Sequence, residues 1–396
     1  MNTNPAKQPR VNPKDFLNTD AILSADETIL RDTVREFVAR EVTPHVADWY
    51  EAGTFPGALG KKMGELGLLG MHLEGYGCAG MSAVEYGLAC LELEAGDTGV
   101  RSFVSVQGSL AMFPIWKFGS EEQKQRWLPA MAVGDAVGCF ALTEPDSGSD
   151  PSSMRTKAVR DGHDWILNGT KMWITNGSTA DVAVIWAQTD DGITGFVVPT
   201  DTAGFSCTDI HTKMSLRVSV TSELVLDNVR LPDSAALPGV RGLRGPLSCL
   251  DEARFGILFG AVGAARTCYE TALVYSMERE QFGKPIASFQ LVQNKLVDMM
   301  IAVNRGMLVA MHVGRMKDAG TLHPAHVSFG KRDNVAMALK VAREARSVLG
   351  ANGITTEYPV FRHMANLESV YTYEGTHEIH TLILGQALTG VSAFGG

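Results

Sequence analysis

The hydrophobic period of this chain changes twice, which rules out a fold made of helices alone or of one sheet alone. Up to about residue 133 apolar residues recur at helical spacing, as Leu30, Val34, Phe37, Val38 and Val42 do. Ser24-Ala-Asp-Glu27 precedes that run as a capping box, in which hydroxyl and carboxylate take free N–H groups of a first turn. Ser120-Glu-Glu-Gln123 repeats the signal, with Leu128-Pro129 near the end of the helix it opens. From about Ala136 to Pro238 the pattern becomes short β-rich runs broken by turn residues. Asn168-Gly169 predicts a two-residue hairpin, Asp190-Asp191-Gly192 predicts a second between Ala183–Trp186 and Gly195–Val198, and Leu224-Val-Leu226 continues the theme. Beyond about Gly245 the helical period returns over 248–280, 288–317, 324–349 and 376–389, with Pro285, Gly320 and Gly350 near the breaks. The fold class is therefore α+β and multidomain. An N-terminal all-helical domain is expected over 1–134, a central antiparallel β-barrel or sandwich over 135–245, and a C-terminal four-helix bundle over 246–396.

Charge and cysteine usage exclude several function classes. The formal net charge is -9 and no Lys/Arg-rich run occurs, so a nucleic-acid partner is not expected. The six cysteines (Cys78, Cys90, Cys139, Cys207, Cys249, Cys268) form no C-x-x-C pair, which suggests neither a zinc site nor a disulfide framework. Lys7 and Arg10 come early, but Val-Asn-Pro-Lys-Asp follows where a signal peptide would carry its apolar run. The apolar stretch Phe255 to Ala265 is too short to span a bilayer, so no membrane insertion is expected. A cytoplasmic protein fits best, or a mitochondrial-matrix one for a processed eukaryotic chain. His377 and His380 invite a metal reading, but three residues separate them and no third ligand is evident, so no metal is expected.

Gly75-Tyr-Gly77-Cys-Ala-Gly80 matches a dinucleotide-binding pattern, with Asp97 near the acidic position. That pattern needs a βαβ unit, and here it sits in a helical region, so a glycine-rich connection between helices is the better reading. Phe140-Ala-Leu142-Thr143-Glu-Pro-Asp-Ser-Gly148-Ser149-Asp-Pro is more informative: a strand ends there in small, hydroxylated and turn residues that can present N–H and O–H groups to an acceptor-rich ligand. A plain turn cluster would share that composition. However, Lys171-Met-Trp173-Ile174-Thr175-Asn-Gly follows, and a buried Trp beside Thr can pack on an aromatic ring and give it a hydrogen bond. The alternative for Trp173, as simple barrel core, is the weaker reading.

These two stretches resemble the flavin-embracing motifs of the acyl-CoA dehydrogenase family, and the resemblance extends over nearly the whole chain. It implies FAD as cofactor, held by Phe140, Leu142, Thr143, Gly148, Ser149, Trp173, Ile174 and Thr175. Arg279-Glu-Gln-Phe282-Gly-Lys-Pro and Gln290 resemble the segment that reaches the FAD of a neighbouring subunit, which implies a homotetramer. Ser347-Val-Leu349-Gly350-Ala351-Asn-Gly resembles a second FAD-contacting turn. Tyr373-Glu374-Gly375-Thr376 resembles the catalytic loop, with Glu374 as the base, Gly375 beside the substrate, and Thr376 and Glu378 near the flavin. Taken alone, Glu374 would be a solvated carboxylate at a helix start. The resemblance places Asp251 and Arg254 on the CoA part of the substrate, as it does Ser149 near it, although Asp251 and Arg254 could be a structural pair.

Within the family the likeness is greatest to members that act on glutaryl-CoA, through Val100-Arg101-Ser102-Phe-Val-Ser-Val-Gln107 and Tyr371-Thr-Tyr373-Glu374-Gly-Thr-His-Glu-Ile-His380. Asp251 stands where Asn would be expected in those members, and the Asp form is widespread in the wider family. The likeness implies that Arg101 and Ser102 receive the distal carboxylate, with Glu94 and Tyr373 in the same pocket. The implied reaction is oxidative decarboxylation of glutaryl-CoA to crotonyl-CoA: Glu374 removes the α-proton, a β-hydride passes to flavin N5, and electrons leave through electron-transfer flavoprotein. A short-chain acyl-CoA dehydrogenase and a non-decarboxylating glutaryl-CoA dehydrogenase would share most of these motifs. A non-enzymatic flavoprotein of the same fold should lack the base or carry a basic face.

Overall fold

The computed structural model describes residues 11–394, so Lys7 and Arg10 of the expected non-secretory N-terminus lie outside the described residues. Both capping boxes form. Ser24 accepts the Glu27 N–H while the Glu27 carboxylate takes the Ser24 N–H at 2.8 Å, opening α1 (Ala25–Phe37). α2 (Val46–Ala52), α3 (Gly57–Glu65), α4 (Ala83–Gly96), α5 (Thr98–Ser105), α6 (Phe113–Phe118) and α7 (Glu121–Ala132) follow. Ser120 and Gln123 cap α7, which carries on past Pro129 for part of a turn. A π-helical turn, Val106–Met112, joins α5 to α6. The Gly75–Gly80 stretch is the connection between α3 and α4, and no strand flanks it.

The middle of the chain forms a seven-stranded sheet: β1 (Gly138–Ala141), β2 (Lys157–Asp161), β3 (Asp164–Thr175), β4 (Val182–Thr189), β5 (Gly192–Pro199), β6 (Phe205–Asp209) and β7 (Thr221–Pro232). Its order is β1-β4-β2-β3-β7-β6, with β5 paired to β4. Most pairings are antiparallel, but β1 runs parallel to β4, so the sheet is mixed rather than purely antiparallel. The hairpin expected at Asn168-Gly169 lies elsewhere: β2 turns into β3 at Gly162-His163, and Asn168-Gly169 sits inside β3. Gly169 is there for close approach. A Cβ on it would fall 2.4 Å from Thr156 Oγ1, and the β3–β7 register slips beside it. The Asp190–Gly192 hairpin forms between β4 and β5.

Five helices close the chain: α8 (Arg244–Glu278), α9 (Gln290–Asp318), α10 (Pro324–Leu349), α11 (Val360–Thr372) and α12 (His377–Thr389). A two-residue-strand hairpin, β8 (Glu280–Gln281) with β9 (Lys284–Pro285), links α8 to α9. α11 is the helix that periodicity does not announce, because buried His363 and Asn366 interrupt its apolar stripe of Val360, Leu367 and Val370. α9 is long and apolar enough to cross a membrane by length and composition alone, yet Met299, Val303, Ala310 and Met311 bury into the same core as α4, α8 and α10.

α8 and α4 meet almost backbone to backbone. A Cβ at Gly263 would lie 1.9 Å from the Leu91 carbonyl oxygen, and one at Gly260 would lie 2.1 Å from Glu94 Oε2. On the neighbouring face of α4, buried Glu92 receives paired hydrogen bonds from Arg35 of α1 and Arg266 of α8. Burial pushes its carboxyl up, but the two guanidiniums outweigh this and hold it at about 2. Gly263→Ala should therefore cost about 1–3 kcal/mol, since a backbone oxygen cannot rotate away as a side chain can. A lowered thermal midpoint is the readout; an unchanged midpoint would mean that the two helices separate freely.

Candidate active site

The site is organised around a three-residue turn between α11 and α12. Thr376 caps α12 by accepting the Ile379 N–H at 3.2 Å, so the chain must reverse over Tyr373, Glu374 and Gly375. Glu374 takes φ 52 and Gly375 φ 88. The left-handed conformation costs a non-glycine residue about 1–2 kcal/mol, so something must hold Glu374 there. Two buried cations do. Arg254 Nε donates to the Glu374 carbonyl at 2.8 Å, and Lys331 Nζ donates to the carbonyls on either side, those of Tyr373 and of Gly375, the latter at 2.6 Å. Gly375 is required by space as well as by φ, because a Cβ would fall 3.0 Å from His380 Nε2 and 3.3 Å from Arg254 Nη2.

The Glu374 carboxylate has one oxygen, Oε2, buried without a hydrogen-bond partner. Burial pushes this carboxyl above the ordinary glutamate range, against the opposing pull of Arg101, Lys331 and Arg254. Arg101 of α5 is fully buried, with Nε on Glu94 Oε2 at 2.6 Å and Nη2 on the Tyr373 hydroxyl. Its Nη1 is buried and has no partner. Thr98 donates to the other Glu94 oxygen at 3.1 Å. Ser102 is buried next along α5, and Cys90 lies one turn before Glu94 on α4, its thiol pushed up to about 12 by burial. Asp251 binds Arg254 Nη1 at 3.0 Å. The structure thus brings buried Glu94, Arg101 and Arg254 together with half-buried Asp251, Tyr373, Glu374 and Gly375 in one cluster.

The two stretches on the sheet are brought together as well. Met172 N–H donates to the Thr143 carbonyl at 2.9 Å, and Lys171 Nζ donates to the Leu142 carbonyl at 3.0 Å and to Glu144 at 2.9 Å. Glu144 also accepts the Arg155 and Thr156 N–H groups. Phe140, Leu142 and Ile174 are buried, whereas Gly148 and Ser149 are exposed. Trp173 is 57% exposed, so neither a buried ring nor β-domain core describes it. A register slip between Lys171 and Ile174 puts Trp173 at φ 62 and turns it out of the sheet. Arg279, Phe282 and Gln290 face solvent on the β8–β9 hairpin and the start of α9, and Phe282 is 92% exposed. Ser347, Leu349, Gly350 and Ala351 end α10, where Lys295 reaches Ser347 Oγ at 2.7 Å. Thr376 and the exposed Glu378 open α12. His377 stacks on Tyr371 at 4.5 Å, and among the described residues no cluster of three His, Cys, Asp or Glu side chains could hold a metal ion.

Sequence reasoning missed Lys331, Lys171 and Glu144. Lys331 did leave a signal: it falls on the buried stripe of α10 with Val327, Asn334, Val335 and Ala338, where an ammonium needs a specific partner.

Comparison with known proteins bears on this arrangement. Residues 24–135, 139–229 and 240–389 match the N-terminal, middle and C-terminal domain models of acyl-CoA dehydrogenases. The probable acyl-CoA dehydrogenase YngJ of Bacillus subtilis is 36% identical over 92% of this chain and 98% of its own length. A crystal structure of glutaryl-CoA dehydrogenase from Mycobacterium smegmatis is 66% identical with a TM-score of 0.96, covering 98% of this chain and all of that one. A second structure of a glutaryl-CoA dehydrogenase from that organism, in complex with FADH2, is 61% identical with the same TM-score and the same coverage. The three domain models fall in order on the helical, sheet and helical parts of the chain. The chain belongs to the acyl-CoA dehydrogenase family, whose members are FAD-dependent enzymes.

Lys171→Met would strand the Glu144 carboxylate beside the Leu142 carbonyl, and breaking a buried pair from one side costs about 3–5 kcal/mol. The expected result is a lowered melting midpoint together with weaker FAD retention on gel filtration. Full retention of both would show that the two backbone N–H groups satisfy Glu144 unaided.

Proposed function

We propose that this chain, loaded with FAD, oxidises and decarboxylates glutaryl-CoA to crotonyl-CoA and CO2 and passes electrons to an electron-transfer flavoprotein. The observation that carries the substrate is Arg101 Nη1, a buried cationic donor without a partner, on a guanidinium whose Nη2 meets the residue before the base. Its charge is already met by Glu94, so what is left over is a buried donor, which calls for an acceptor. The far carboxylate of a glutaryl chain supplies one, in a charge-assisted geometry that a Lys would not reproduce. A monocarboxylic chain leaves the donor unpaired. Likeness to two structures named as glutaryl-CoA dehydrogenases supports the same reading.

The sheet loops fit a flavin. The carbonyls of Leu142 and Thr143 are already taken, while the side chains of Thr143, Trp173 and Thr175 have no hydrogen-bond partner among the described residues, leaving donors and an aromatic face free. Phe140, Leu142, Thr143, Gly148, Ser149, Trp173, Ile174 and Thr175 would hold the ring and its neighbouring atoms, with Thr376 and Glu378 beside them. Arg279, Phe282, Gln290 and the Ser347–Ala351 turn, all at the surface or at a helix end, suit service to the FAD of a neighbouring subunit in a homotetramer. When bound, FAD supplies the acceptor for the two electrons that leave the β-carbon. Free cysteines throughout the described residues suit a cytoplasmic setting.

Glu374 takes the α-proton, and burial is what makes a carboxylate basic enough for this. Its own N–H donates to no backbone carbonyl among the described residues, so it is free to meet the thioester oxygen and stabilise negative charge there. Arg101, with Glu94, Ser102 and Tyr373 around it, holds the far carboxylate. Asp251 and Arg254, and Ser149 at the sheet edge, orient the CoA side. After oxidation the bond from the γ-carbon to the carboxylate breaks. Its electron pair enters the conjugated thioester as CO2 leaves, and protonated Glu374 returns a proton to the γ-carbon.

Anaerobic mixing with glutaryl-CoA should bleach the flavin and release labelled CO2. Bleaching by butyryl-CoA faster than by glutaryl-CoA would point to a short-chain substrate, and bleaching without CO2 to a non-decarboxylating enzyme. Glu374→Gln should still bind FAD and acyl-CoA but lose roughly 100- to 10,000-fold in bleaching rate. In the wild type that rate should rise with pH through a midpoint above the ordinary glutamate value, because the carboxyl must be ionised to act and burial raises its pKa. Arg101→Lys should cost about 2–5 kcal/mol in kcat/KM for glutaryl-CoA and far less for butyryl-CoA; equal losses on both would remove Arg101 from carboxylate recognition.

A further inference from the structure

The turn that presents Glu374 offers three consecutive carbonyls, of Tyr373, Glu374 and Gly375, and every one of them is taken by a buried cation. Arg254 holds the middle one, and Lys331, 2% exposed, holds the outer two. An ammonium carries three donors on one atom, so Lys331 alone can straddle Glu374 from both sides, which neither a glutamine amide nor the wider guanidinium fork does from the same point.

We propose that Lys331 is a positioning residue for proton abstraction: its ammonium locks the left-handed Glu374 turn, so that the carboxylate and N–H of one residue meet the substrate from fixed points. The inference rests on Glu374 being the base. Holding three carbonyls points the intervening N–H groups away from the cations, and it offsets the cost of φ 52 at a residue with a side chain. Lys331 and Glu374 also lean on each other electrostatically. Burial pushes the Lys331 ammonium down against the pull of Glu374, while Lys331 and Arg254 oppose the rise that burial imposes on Glu374. The groups around Lys331 are Glu374 and Tyr373 of the turn, Arg254 and Asp251 of α8, Arg101 of α5, and His377 and His380 of α12.

The test compares FAD-loaded wild type, Lys331→Gln and Lys331→Arg by anaerobic rapid mixing with glutaryl-CoA over a pH series. Lys331→Gln should reduce its flavin at least about tenfold more slowly, and its acid limb should move up by roughly one pH unit, because the carboxylate loses a cation. Lys331→Arg keeps the charge but not the straddling geometry, so its rate should fall while its acid limb stays at the wild-type position. A purely structural lysine would not separate rate from limb in this way. A Gln variant, or an Arg variant where Gln fails to retain FAD, that equals wild type in both readouts overturns the proposal. Bleaching of wild type by butyryl-CoA but not by glutaryl-CoA refutes the substrate reading alone, and the same comparison then runs on butyryl-CoA.

Discussion

Near-contact of the α4 and α8 backbones is the constraint from which the rest of the site follows. Glycines at 256, 260 and 263 strip one face of α8 of side chains, so that Tyr86, Cys90, Leu91 and Glu94 of α4 can lie directly on it. Burial of two helices at this separation removes all room for adjustment, and polar side chains placed there are held by their surroundings rather than by their own rotamers. The Glu94–Arg101 pair occupies space that a single methyl at Gly260 would remove. One turn and a half earlier on the same helix, Arg254 reaches the Glu374 carbonyl. α8 therefore carries both ends of the site, the pocket floor and the support of the base.

Charge is balanced locally rather than avoided. Arg101 pairs with buried Glu94 and Arg254 with half-buried Asp251, while buried Lys331 binds the turn that carries Glu374. Each buried ion would be costly alone, and together they hold a carboxylate that is more basic than usual yet still able to ionise. The same device recurs on the sheet, where Lys171 and Glu144 fix the Leu142 carbonyl. In both places a buried lysine orders a loop by seizing carbonyl oxygens.

What could be read from residues alone divides along physical lines. Capping boxes at Ser24 and Ser120 and the Asp190–Gly192 turn are local, satisfied within four residues, and the structure contains all three. Asn168-Gly169 carried the same kind of signal and misled, since Gly169 answers to Thr156, just before β2, a contact invisible to local pattern. Trp173 misled in the opposite sense, because its apolar ring suggested burial while a slipped register exposes it. That Glu374, Arg101 and their neighbours lie together was legible through motif order. Lys331 was not: its partners lie more than forty positions away, and only its place on an apolar stripe hinted at a role.

The buried thiol of Cys90 has a chemical consequence. Dehydrogenation of an acyl thioester yields an α,β-unsaturated one, which is a Michael acceptor, and Cys90 lies one helical turn from Glu94. Nucleophilic addition needs the thiolate. With its pKa pushed up to about 12, Cys90 stays protonated across any physiological pH, so the product meets a spectator rather than a trap. The desolvation that raises the Glu374 carboxyl also keeps the Cys90 thiol protonated.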